Sequence, residues 1–94
     1  MLNSSRRSVT IVNKKGLHAR ASSKFARLAG TFNSDIRVCH EREVVSGISI
    51  MDLLMLVAHQ GCQIEIVADG EDADAAVSAL GDLVADGFGE PDED

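Results

Sequence analysis

The stretch RSVTIVNKKGLHARASSKFARLAG, residues 7–30, changes its period halfway along. Over 7–13 polar and apolar residues alternate, with Val9 and Ile11 on one face, which predicts a strand. Asn13-Lys14-Lys15-Gly16 reads as a turn. From His18 to Ala29 the apolar positions Ala21, Phe25, Leu28 and Ala29 recur at i, i+4, i+7 and i+8, so the chain becomes a helix, which Gly30 stops. His18 therefore stands at a helix mouth, with Lys14, Lys15 and Arg20 around it. Beside it are backbone N–H groups that have no partner within the helix.

Outward from this unit the same two periods recur. Ser34 to His40 alternates with Ile36 and Val38 on one side, and Glu43 to Ile48 reads as a third strand weakened by Gly47. Ser49 looks like an N-cap with Asp52 three residues on, opening a helix expected to run to about His59. Ile50, Leu53, Leu54 and Val57 suffice as its buried stripe. That leaves Met51 towards solvent, and Met55 either under the third helix or exposed. Gln63 to Ala68 is a fourth strand with Ile64 and Ile66 inward. Asp72 or a neighbour caps a last helix striped by Ala73, Ala76, Val77, Leu80, Leu83 and Val84. Gly81 costs that helix about 1 kcal/mol relative to Ala.

The expected architecture is α/β (α+β), a two-layer open-faced sandwich in the order β-α-β-β-α-β-α. Its mainly antiparallel four-stranded sheet is covered on one face by three helices. Residues 1–89 form one domain ended by Gly87-Phe88-Gly89, and 90–94 are read as a solvated, disordered acidic tail.

Composition narrows the function. Three Phe are the only aromatics among 94 residues, and no run approaches the roughly 18 apolar residues of a membrane span. The first residues carry Arg6 and Arg7 but no apolar core of a signal peptide. Cys39 and Cys62 match no metal-ligand spacing. A reduced, cytoplasmic, monomeric protein without metal or cofactor is expected. Residues 1–42 hold all nine Lys and Arg against two acids, for +7, whereas 43–94 hold thirteen acids, for −13. The cationic half contains His18 and suits an anion or an acidic partner, while the net charge of −6 argues against nucleic acid.

An imidazole in this setting is suited to carry a phosphoryl group. Its neutral form offers a nucleophilic nitrogen, and the phosphoramidate it forms is labile enough to pass the group on. The helix N–H groups, the helix dipole and the Arg20 guanidinium would hold the phosphoryl oxygens. The ordinary alternative is a surface histidine that caps a helix beside a solvated arginine. His40, ending a strand, and His59, ending a helix, are read as structural. Lys24 and Arg27, one turn apart, face either acidic partners or water. Ile50, Met51 and Met55 offer an adaptable apolar surface to partners. No base, metal cluster or glycine-rich phosphate loop is visible, so a relay rather than an enzyme is expected.

The runs Gly16-Leu17-His18-Ala19-Arg20-Ala21-Ser22 and Ser49-Ile50-Met51-Asp52-Leu53-Leu54-Met55-Leu56, in this element order, resemble HPr. This is the histidine-containing phosphocarrier family of the bacterial phosphotransferase system, and the resemblance extends from about Val9 to Val84. It implies His18 as the phosphorylated histidine and Arg20 as its stabilising neighbour. It also implies Ser49 as the serine that some members use for regulation, with Ile50 and Met51 as docking residues. The partners implied are a phosphoenolpyruvate-dependent enzyme I-type donor, enzyme IIA-type acceptors and, for Ser49, an HPr kinase/phosphorylase. Ala21 stands where many members have proline. Asp52 stands where a basic or neutral residue is usual, which places a carboxylate near any phosphate on Ser49. Ser46-Gly47 and Ala21-Ser22 look like the HPr-like proteins of nitrogen-type systems, while service in sugar uptake or in nitrogen regulation both remain open. The competing expectation is a regulatory binding module controlled by phosphorylation at Ser49, with His18 idle.

Overall fold

The computed structural model describes residues 3–90. The elements are β1 (Ser4–Thr10), α1 (Ala19–Ala29), β2 (Asp35–His40), β3 (Glu43–Ser46), α2 (Ile50–Met55), β4 (Gln63–Asp69) and α3 (Ala73–Ala85). A 3-10 turn, Gly87–Gly89, follows. The sheet order is β1-β4-β2-β3 and every pairing is antiparallel. Alternation does what the periods predict. Val9, Ile36, Val38, Ile64, Ile66 and Ala68 point into one layer against Phe25, Leu53, Leu80 and Val84 of the helices. The other sheet face is open and charged, with ion pairs Arg6–Glu65 at 3.6 Å and Arg37–Asp35 at 2.9 Å. Each fully buried large side chain in the core contributes about 1.5–3 kcal/mol.

Element ends differ from the sequence reading in β1, in α2 and in β3, which stops at Ser46 rather than Ile48, where the chain turns into α2. β1 begins at Ser4, not Arg7, and ends at Thr10. It lies at the sheet edge, where backbone pairing with β4 suffices: Ser4 and Arg6 face solvent while their main chain stays in register with Asp69 and Val67. Ile11 leaves the strand yet remains buried, its N–H bonded to the Cys62 carbonyl at 2.9 Å. Helix α2 stops at Met55, short of the expected His59. Leu53, Leu56 and Ala58 are the buried residues of this segment, whereas Ile50 and Val57, expected inward, are exposed. Burying Leu56 and Ala58 in succession requires a sharp turn rather than another helical turn, and Val57 supplies it with φ 52. His59 therefore lies in a loop rather than at a helix end, so the helix dipole does not act on it as expected.

A β-branched residue in the left-handed region is strained, and Val57 is 74% exposed, so its side chain contributes little burial in return. Val57→Gly is expected to stabilise the fold by about 1 kcal/mol, seen as a rise of about 5 °C in Tm. An unchanged or lower melting point would refute the strain assignment.

Asp72 occupies the N-cap position of α3 but does not cap it. Its carboxylate instead accepts from Asn33 N–H (2.8 Å), Ser34 N–H (2.9 Å) and Ser34 Oγ–H (2.5 Å), which ties the α1–β2 loop to the start of α3. The Ser34 hydroxyl first, then the Asn33 amide, hold its carboxyl below the ordinary aspartate range. A depressed folded pKa stabilises above the unfolded value, about 3.9, and loses that contribution as pH falls through the lower folded value. Asp72→Asn is thus expected to be less stable than the wild type at pH 6. The gap should close below pH 4, as read from urea midpoints across that range.

Gly81 inside α3 has a packing reason. A Cβ there would meet the Arg7 guanidinium at 2.5 Å. Arg7 crosses the helix at this point and donates to the Ser78 carbonyl at 3.1 Å and to Asp82 at 3.0 Å.

Candidate functional site

The site is built on the β1–α1 connection. Gly16 has φ +63, and its missing Cβ lets the chain pass within 2.6 Å (as an added Cβ would measure it) of the Ala58 carbonyl. Leu17 then buries its side chain and donates its N–H to that carbonyl at 2.9 Å. Asn13, itself buried, donates from Nδ2 to the Gly16 carbonyl at 2.8 Å. Ser22 Oγ donates to the Leu17 carbonyl at 3.1 Å. The loop is thus held from the α2–β4 segment, from its own start and from the first turn of the helix it feeds.

His18 is the N-cap of α1, with extended backbone, and its Nδ1 accepts from Arg20 N–H at 3.2 Å. One ring nitrogen therefore looks into the first turn, where unpaired N–H groups and the positive end of the helix dipole meet. The other, Nε2, lies 2.5 Å from Glu90 Oε2. The Arg20 side chain is exposed and takes part in no hydrogen bond or ion pair among the described residues, which leaves it free for an anion. Lys14 and Lys15 are exposed beside it.

Glu90 corrects the reading of the acidic tail. Placed among solvated residues by its composition, it has a side chain only 6% exposed, against 24% for His18. Its second oxygen accepts from Asn13 Nδ2 at 2.9 Å. Phe88 is buried with φ 58, and its carbonyl accepts from Lys24 Nζ at 2.7 Å, which anchors the turn that delivers Glu90. Burial pushes the Glu90 carboxyl up. The hydrogen bonds from Asn13 and His18, together with nearby positive charge including Lys24, outweigh this and hold it below the glutamate range. A lone aromatic between two glycines in an acidic stretch was the available signal that this segment returns to the core. Asn13 gave no such signal beyond its place in a turn. The rest of the tail, 91–94, lies outside the described residues.

The other candidates are placed as follows. Lys24 is half-buried by its bond to the C-terminal turn, and Arg27 is exposed, donating to Ser23 Oγ at 3.3 Å. With Leu28, Thr31 and Leu83 they line a groove of about 400 Å³ between α1 and α3. Ser49 Oγ accepts from Asp52 N–H at 3.2 Å as the N-cap of α2. Helix α2 packs against α1, but no hydrogen bond joins Ser49 to His18. Met51 and Met55 are each 68% exposed, so the third helix does not cover Met55. Cys39 and Cys62 are free thiols, and no group of three potential metal ligands occurs among the described residues. Nor is any helix among them long and apolar enough to cross a membrane.

Compared with known families, the chain matches the PTS-HPr model, described as the HPr component phosphorylation site, over residues 5–86. The chain belongs to the HPr family. A phosphocarrier protein HPr from Neisseria meningitidis is 47% identical over 85 residues, covering 90% of this chain and 96% of that protein. A phosphocarrier protein NPr from Shewanella violacea is 44% identical over 84 residues, covering 89% and 92%. Among solved structures, HPr-C-His from Thermoanaerobacter tengcongensis superposes with a TM-score of 0.89 at 37% identity, covering 93% of this chain and 98% of that one. This HPr-family chain is accordingly a phosphocarrier of the phosphotransferase system, and its open-faced sandwich is the HPr fold.

Proposed function

We propose that the chain takes a phosphoryl group onto Nδ1 of His18 from a phosphoenolpyruvate-charged enzyme I-type donor and hands it to enzyme IIA-type acceptors, as a cytoplasmic, stoichiometric carrier. The observation that carries this reading is the orientation of the ring. Nδ1 faces the first turn of α1 while Nε2 is occupied by Glu90, so one nitrogen has a lone pair directed at an anion-binding helix end. In transfer, that lone pair forms the N–P bond as the bond between phosphorus and donor breaks, its electron pair staying on the donor. The phosphoryl oxygens meet the N–H groups of the first turn and the Arg20 guanidinium. Transfer to the acceptor reverses the step.

Docking falls to the exposed Ile50, Met51 and Met55, with Lys24 and Arg27 offering positive charge to acidic partners. A phosphate on Ser49 would gain the N–H groups of α2 but stand beside Asp52, whose own N–H the Ser49 oxygen already engages. Ser49 therefore enters as the cap that shapes the docking helix.

The test is to incubate the chain with phosphoenolpyruvate and donor, then assay the phosphoprotein. One acid-labile, base-stable phosphate mapped to the peptide containing His18 is expected. An acid-stable phosphate, or one mapped elsewhere, refutes the assignment.

A further inference from the structure

We infer that Glu90 is a positioning residue for this transfer: it accepts the Nε2 proton of His18, holds the ring in the tautomer that leaves Nδ1 as acceptor nitrogen, and steadies the positive charge the ring gains as the N–P bond forms. The inference rests on His18 being the phosphoryl acceptor.

Two contacts define the tautomer independently. An ionised carboxylate only accepts, so the nitrogen 2.5 Å from Glu90 Oε2 carries the proton. A backbone N–H only donates, so the nitrogen 3.2 Å from Arg20 N carries the lone pair. Both assign Nε2–H. The carboxylate is itself held in place. Its other oxygen accepts from the Asn13 amide, which also grips the Gly16 carbonyl, so one side chain fixes both the Glu90 carboxylate and the loop that bears His18. Phe88 in the core and Lys24 on its carbonyl fix the backbone two residues before Glu90.

During transfer no proton needs to move. The Nδ1 electron pair forms the bond to phosphorus, the donor keeps the pair of the broken bond, and Nε2 retains its hydrogen. The phosphorylated ring then carries positive charge directly beside a mostly buried carboxylate. A buried carboxylate opposite the reacting nitrogen of an imidazole sets tautomer and orientation in this way without taking the proton.

The experiment is nitrogen-15 NMR of the His18 ring in the full, unphosphorylated chain, paired with the initial rate of phosphoryl uptake. The wild-type ring is expected to be protonated on Nε2. Glu90→Ala should give a mixture of tautomers and slow uptake by about tenfold, with the label still on His18. A wild-type ring protonated on Nδ1, or a tautomer ratio unchanged by removing Glu90, overturns the proposal. The wild-type spectrum decides alone if the variant does not fold. Because the ring is read without phosphate, failure of His18 as acceptor shows separately, as label that persists in His18→Ala.

Discussion

His18→Ala is expected to take up no phosphoryl group, a loss of at least about a thousandfold, while the protein stays folded. No other described side chain replaces the imidazole. The Ser22 hydroxyl in the same turn is buried and committed to the Leu17 carbonyl. His40 lies against the Gln63 carbonyl at the sheet end, and His59 lies in the loop beside Cys62. Stability falls by the lost cap and the lost contact to Glu90, about 2 kcal/mol together, since Glu90 keeps its bond from Asn13. The measurements are a labelling time course and a thermal melt. A folded variant that still takes up label would end the case for His18, and loss of label through unfolding would show as a collapsed melting transition.

Gly16→Ala should have the largest effect on the fold at the site. The added Cβ would lie 2.6 Å from the Ala58 carbonyl oxygen and 2.7 Å from His59 Cα, both main-chain atoms that cannot rotate away. It would also place a side chain at φ +63. Relief requires the β1–α1 loop to move off the α2–β4 segment, which breaks the Leu17–Ala58 hydrogen bond and lifts buried Leu17. Strain, clash and lost burial sum to about 3 kcal/mol, a substantial fraction of a small domain's stability, with a Tm lower by roughly 15 °C. Phosphoryl uptake should fall too, since His18 is two residues downstream. A Tm within 3 °C of wild type would mean that the loop has room the structure does not show.

Much of this was legible in the sequence because burial and period agree. Val9, Ile36, Val38, Ile64 and Ile66 alternate with polar residues, and Phe25 and Leu80 sit in stripes, so strands and helices declare themselves without knowledge of their neighbours. The failures share a cause: each depends on a partner far away in the chain. Ser4–Arg6 are strand only because β4 lies beside them. Helix α2 ends early because Ala58 must offer its carbonyl to Leu17. Asp72 serves Asn33 and Ser34 rather than its own helix. At the site the same division holds. The place of His18 at the mouth of α1 was readable locally, whereas Glu90 looked like solvated charge because its contacts, Asn13 and His18, are more than seventy residues away.

That separation has a consequence for the newly made chain. During synthesis Asn13 and His18 emerge early, but β1 cannot join the sheet until β4 is made, and the carboxylate in contact with the ring arrives only with residue 90. A ribosome-bound or C-terminally clipped chain therefore presents the histidine without its setting. The surroundings of the ring are thus completed by a segment more than seventy residues downstream of the histidine, after all four strands have been made.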